Sequence, residues 1–217
     1  VYLVMAQTDR YKKHKGITCF IVERDRQGFE PGLKEDKLGI RSSDTCSIGL
    51  TNVTVPPENI LGEAGRGFNI AMEVLNGGRI GIAAQALGIA QGAFERALEY
   101  STQRKAFGKP IADLQAIQFK LAEMSVKIEA SRLMILRAAT MKDKHERFVK
   151  EAAQAKLLAS KTAVEVALEA IQIHGGYGYV REYHVERMLR DAKITEIYEG
   201  TSEIQHIVIA RELIKAL

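Results

Sequence analysis

The spacing of apolar residues changes once along the chain. In residues 1–57, short runs rich in β-branched and aromatic residues, at 1–5, 17–22 and 48–55, alternate with glycine-containing and charged turns, which is the pattern of strands. Pro56 and Pro57 close the last run. Beyond the glycine-rich stretch at 62–67 the period becomes helical, with Phe68, Ala71, Met72 and Leu75 on one face. Long helices are predicted over roughly 68–103, 110–142 and 148–174, then shorter ones from Tyr183 and Thr201. Pro110 suits a first helical turn, and Gly175 with Gly176 suits a C-terminal stop. Ala83, Ala84, Ala86, Ala90 and Ala93 let helices approach closely. The fold class is therefore α+β and mainly α: an up-and-down four-helix bundle over residues 63–217, preceded by an incomplete antiparallel β domain over 1–62. Three or four strands without covering elements leave open edges, so the chain is expected to be part of a longer one.

Composition narrows the class. The 217 residues, 46% hydrophobic and 27% charged, suffice for a substantial core in one large or two small domains. Apolar helical positions are interrupted by Lys, Arg and Glu, and no run is long enough to span a bilayer. Cys19 and Cys46 are too few for a disulfide framework and have no ligand spacing around them, so reduced, buried thiols and no metal are expected. The net charge of +4 is concentrated in part at residues 10–15, a polar turn between strands or an electrostatic site for an anionic partner. Elsewhere the positive charge is mixed with Glu and Asp, which argues against nucleic-acid binding.

The candidate chemistry lies near the C-terminus, in Tyr198-Glu199-Gly200-Thr201-Ser202-Glu203. Thr201 or Ser202 can cap the following helix, which puts Glu199 just before its N-terminus, and Gly200 frees the backbone to turn. Partial desolvation by Ile197 and Tyr198 would raise a carboxyl pKa, and the helix end would lower it. A proton-abstracting carboxylate and a solvated helix-end charge are both compatible with this spacing.

The stretch 198–205, preceded by Arg190-Asp191-Ala192-Lys193-Ile194, resembles the signature of the acyl-CoA dehydrogenases. Residues 104–111 (RKAFGKPI), 172–179 (QIHGGYGY) and 34–41 (KEDKLGIR) are similar to further family motifs. The resemblance implies an FAD enzyme that desaturates acyl-CoA thioesters between the α and β carbons in fatty-acid β-oxidation. It makes Glu199 the base for the α proton and the Glu199 amide a donor to the thioester carbonyl. Relatives of the isovaleryl and long-chain branches carry the base on the first bundle helix, at the position of Gly78. Glutamate at 199 with glycine at 78 is most similar to the short- and medium-chain branches, and residues 79–88 are most similar to the short-chain branch.

Other roles follow only from the resemblance. Arg104 would contact FAD phosphate, Gln115 the flavin, and Gln172, Ile173, His174, Gly175 and Gly176 the FAD of a neighbouring subunit. Thr201, Ser202 and Glu203 match the flavin-adjacent turn. Asn76, Gly77, Gly78, Arg79 and Gly200 match substrate-contacting positions, with Asn76 where the short-chain branch has aspartate. The implied partners are acyl-CoA, electron-transferring flavoprotein and three further copies in a homotetramer, for which apolar residues on more than one face of the second long helix also argue. No nucleic acid is implied. The implied location is the mitochondrial matrix in a eukaryote and the cytoplasm in a bacterium, with no targeting segment visible. An acyl-CoA oxidase or a non-catalytic binding protein built on the same scaffold remains the alternative.

Overall fold

The structure is a computed structural model that describes residues 1–215. Contacts divide it into two compact units, Val1–Lys37 with Arg41–Leu75, and Leu38–Ile40 with the chain from Asn76 onward.

In the first unit, strand β1 (Tyr2–Gln7) pairs antiparallel with β2 (Ile17–Val22) in unbroken register, from Tyr2 opposite Val22 to Gln7 opposite Ile17. A 3-10 turn over Arg10–Gly16 connects them, so the basic run is a polar connection between strands. β3 (Phe29–Lys34) pairs with β4 (Cys46–Leu50), with a register shift between Pro31 and Lys34. The strands form two separate two-stranded sheets rather than one. The last strand stops at Leu50 instead of running to Val55, because Asn52 adopts a left-handed backbone (φ 53°) that ends the extended run. The segment that follows closes over β2. Ile60 bridges Phe20, and the Leu61 N–H donates to the Cys19 carbonyl at 2.9 Å.

The second unit is a helical bundle formed by α1 (Gly67–Gln103) from Asn76 onward, α2 (Gln115–Asp143), α3 (Val149–His174), α4 (Val185–Lys193) and α5 (Ser202–Ile214). α3 is central, packing against α2, α4 and α5. The alanine pattern explains the packing: Ala83, Ala86, Ala90, Ala93 and Ala97 of α1 and Ala155, Ala159, Ala163, Ala167 and Ala170 of α3 are buried in one cluster with Met124, Ile128 and Ile135 of α2. Ala84, expected among the packing alanines, faces outward. Replacing Ala163 by Leu is expected to overpack this core by roughly 1–3 kcal/mol and to lower the melting midpoint by roughly 2–12 °C. An unchanged melting curve would show that the helices are not closely packed there.

Two helix starts differ from expectation. Pro110 is not in the first turn of α2. It ends β6 (Lys109–Pro110), paired with β5 (Lys105–Ala106) across a two-residue loop of Phe107 and Gly108, both at positive φ as such a tight hairpin requires. Tyr183 lies in a 3-10 turn, and α4 begins at Val185 after a left-handed His184. The stretch around Gly39 docks on the end of α4. The Ile40 N–H donates to Asp191 Oδ1 at 2.7 Å, Arg190 Nη1 donates to the Leu38 carbonyl at 2.9 Å, and a Cβ on Gly39 would lie 2.3 Å from the Arg190 carbonyl oxygen.

Candidate functional site

After α4 and a 3-10 turn over Ile194–Glu196, the chain reverses through Glu199 (φ 53°) and Gly200 (φ 89°), both left-handed. Such a backbone costs a non-glycine residue of the order of 1–3 kcal/mol unless its surroundings hold it. They do so here with buried donors. Nε2 of Gln205, which is wholly buried, donates to the Glu199 carbonyl at 3.1 Å and to the Gly200 carbonyl at 2.8 Å. Lys156 Nζ, from α3, donates to the same Gly200 carbonyl at 2.8 Å. A Cβ on Gly200 would meet Gln205 Nε2 at 2.8 Å, so both space and backbone demand glycine.

Thr201 occupies the N-cap position of α5, but its side chain makes no capping bond to the helix backbone. The Glu203 carboxylate is held below the usual range by its own backbone N–H first and by the neighbouring Thr201 hydroxyl. Ser202 Oγ donates to the Glu196 carbonyl at 3.5 Å.

The turn aims Glu199 at α1. Its Oε2 is buried with no hydrogen-bond partner among the described residues, and a Cβ on Gly78 would lie 2.4 Å from that oxygen. The residue beside it, Arg79, is 6% exposed and donates from Nη1 to Asn76 Oδ1 at 2.7 Å, leaving Nε without a partner. Burial pulls the Arg79 guanidinium below its ordinary pKa and the Glu199 charge opposes that pull. The Tyr198 hydroxyl donates to Gln85 Oε1 on α1, and burial pushes its phenol up. The Glu199 N–H makes no backbone hydrogen bond among the described residues. Asn76, Gly78, Arg79, Glu199 and Gly200 thus come together, while Gly77 faces Lys142, whose Nζ would be 3.3 Å from its Cβ. The cluster offers a buried carboxylate oxygen free to take a proton, a free N–H on the same residue and a backbone stripped of side chains at Gly78.

A second cluster forms where α3 stops. Arg104, Ile173, His174, Gly175 and Gly176 line a cleft of about 450 Å³. Gly175 caps α3 at φ 60°, and no atom lies within 4 Å of a Cβ built on either glycine. Packing therefore does not require Gly176, and the backbone is open to close approach. Arg104, at the end of α1, forms no ion pair among the described residues and lies over the Tyr177 ring at 5.7 Å. The His174 ring stacks on Tyr100 at 4.2 Å, with Nδ1 bonded to the Ala170 carbonyl at 2.7 Å, and burial lowers its pKa. An uncommitted guanidinium beside open glycine backbone fits a phosphate-bearing ligand. Gln172 and Gln115 are exposed and do not line this cleft, and Gln115 is the first residue of α2.

Lys156, Gln205 and Gln85 were not among the residues singled out from sequence. The signal for Lys156 was present: it is the one lysine among the buried positions Ala152, Ala155, Ala159 and Ala163 of an alanine-lined helix.

Residues 65–214 match the family described as acyl-CoA dehydrogenase, C-terminal domain. The chain is 53% identical over 215 residues to the short-chain specific acyl-CoA dehydrogenase of Megasphaera elsdenii, covering 99% of this chain and 56% of that protein. It is 53% identical over 214 residues to the mitochondrial short-chain specific acyl-CoA dehydrogenase of Mus musculus, covering 99% of this chain and 52% of that one. The solved structure of butyryl-CoA dehydrogenase from Megasphaera elsdenii matches with a TM-score of 0.97 at 53% identity, over 98% of this chain and 56% of that one. The chain spans about half the length of the curated relatives it matches. With more than half of its residues inside the family match and the same helical bundle in its solved neighbour, the chain belongs to the acyl-CoA dehydrogenase family and carries that family's C-terminal domain.

Proposed function

We propose that the protein containing this chain removes two hydrogens from the α and β carbons of short-chain acyl-CoA thioesters, with Glu199 as the base. The observation that carries this reading is the buried, unpartnered Glu199 Oε2 facing the side-chain-free backbone of Gly78. The α proton of a thioester is weakly acidic, so its removal needs an aimed carboxylate and a donor for the charge that develops on the carbonyl oxygen. Glu199 supplies both, its carboxylate taking the proton and its free N–H supporting the oxygen. Gly78 leaves the acyl chain room beside the carboxylate, and Arg79, held by Asn76, keeps a cation behind it. No side chain accepts a hydride, so a redox cofactor is required; membership of the acyl-CoA dehydrogenase family supports FAD, which when bound would supply the acceptor for the β hydride. Arg104 and the Gly175-Gly176 backbone would hold its phosphates, in this reading those of a neighbouring copy.

The electron acceptor for the whole protein would be an electron-transferring flavoprotein. A homotetramer would cover the outer face of α2, where Phe119, Val126, Leu133 and Leu136 are all more than half exposed. In a eukaryote the location would be the mitochondrial matrix; the Mus musculus relative is named as mitochondrial. Among the described residues no helix is long and apolar enough to cross a membrane.

The test is anaerobic titration of the full-length FAD protein with acyl-CoAs of increasing length. Bleaching of the flavin that is fastest with the shortest chains is expected, with turnover restored by electron-transferring flavoprotein. Absence of bleaching with every straight-chain acyl-CoA would sink the proposal, and rapid turnover with oxygen alone would make the protein an oxidase.

A further inference from the structure

Lys156 is an anomaly in the core. It is 0% exposed on the alanine-lined face of α3, and the acceptor of its Nζ is the neutral Gly200 carbonyl rather than a carboxylate. The charged groups that face it are Glu196, Arg79, Glu199 and Glu203, contributed by the 3-10 turn, α1, the reversal and α5. Burial outweighs the attraction of the three carboxylates and brings the Lys156 pKa down to about 8, with Glu196 the strongest opposing charge. A lysine that binds its proton less tightly in the folded than in the unfolded chain disfavours folding while protonated, and the penalty fades as the pH rises above the folded value. An apolar side chain would fill the same space without that penalty. The stability of the bundle therefore does not account for the ammonium.

Its geometry does. Two carbonyls flank the left-handed pair at Glu199 and Gly200, and Gln205 Nε2 reaches both. Lys156 adds a charged donor to one of them, and a charge-assisted bond is about twice as strong as a neutral one. We infer that Lys156 is a positioning residue, whose ammonium pins the Gly200 carbonyl, fixes the Glu199-Gly200 reversal and so aims the Glu199 carboxylate at Gly78. The catalytic part of this inference rests on Glu199 being the base, while the pinning of the turn does not.

The experiment uses the full-length holoprotein and Lys156→Met, which keeps an unbranched apolar stem and removes donor and charge. Amide exchange in residues 198–205 is expected to speed up at least about tenfold, with the core of α1 to α3 unchanged. The limiting rate of anaerobic flavin reduction is expected to fall at least about tenfold, with acyl-CoA affinity within about threefold, the signature of an interaction felt in the transition state. The wild-type limiting rate should fall severalfold as the pH rises through about 8, because a neutral amine donates more weakly, and Lys156→Met should lack that limb. Faster exchange with an unchanged rate, when Glu199→Gln abolishes bleaching, or no change in either, overturns the inference. Should Lys156→Met fail to give holoprotein, the wild-type profile decides, and a flat limiting rate between about pH 7 and about pH 9.5 overturns it. If Glu199→Gln bleaches normally while Lys156→Met loosens residues 198–205, the base assignment has failed and the pinned turn stands.

Discussion

Flavin bleaching by acyl-CoA is expected to slow by roughly 10²–10⁴-fold when Glu199 is replaced by Gln in the full-length holoprotein, while FAD stays bound. Glutamine keeps the length and the planar end of the side chain, so the left-handed backbone and its bonds to Gln205 and Lys156 persist. What would be lost is the proton acceptor proposed at the buried position held by Oε2. The groups proposed for the FAD phosphates, Arg104 and Gly175-Gly176, line another cleft, so cofactor content should not change. Stopped-flow absorbance at saturating substrate reads the effect directly. A variant that bleaches near the normal rate would remove Glu199 from the chemistry.

Gly78→Ala separates stability from activity. Inside a helix, alanine is preferred over glycine by about 0.5–1 kcal/mol, so α1 itself gains. The added Cβ, however, would stand 2.4 Å from Glu199 Oε2 and 2.8 Å from Cδ. Only the end of a flexible side chain is in the way, so the fold yields cheaply and the carboxylate moves by of the order of 1 Å, a displacement that can cost about 10²-fold in rate. The expected result is a melting midpoint that is unchanged or higher, with flavin reduction slowed about a hundredfold. Full activity together with the raised midpoint would show that the carboxylate has no fixed place from which it works.

The sequence carried the helices well and the reversals poorly. α1, α2 and α3 were legible because an alanine and apolar stripe at helical spacing persists over many turns, far longer than any local exception. The hairpin at residues 105–110 was missed because Phe107 adopts positive φ, a conformation its residue type does not advertise. Pro110 has the same preferred φ in an extended turn as in a first helical turn, so its residue type could not choose between them. At the site, Glu199, Gly200 and Arg79 were marked by the resemblance and by residue type, and the structure brings them together. Lys156 and Gln205 act from 44 and 5 residues away from Gly200. The alanine stripe marks Lys156 as inward-facing, but which carbonyl it and Gln205 reach depends on how the reversal is placed against α3 and α5, which no local pattern states.

The alanine lining of α1 and α3 has a consequence for where ligands can go at all. Bundles that house a cofactor between their helices need larger interaxial spacing and inward-pointing polar side chains. Here Ala83, Ala86, Ala90, Ala93 and Ala97 of α1 and Ala155, Ala159, Ala163, Ala167 and Ala170 of α3 are buried in one cluster with Met124, Ile128 and Ile135 of α2, so small apolar side chains fill the described interior. The two candidate clusters lie at ends of the columns instead, one at the left-handed reversal of Glu199 and Gly200 and one at the Gly175 stop of α3. The solid interior makes the bundle a frame, and its variable chemistry can be confined to a few residues at its edges without disturbing the packing between them.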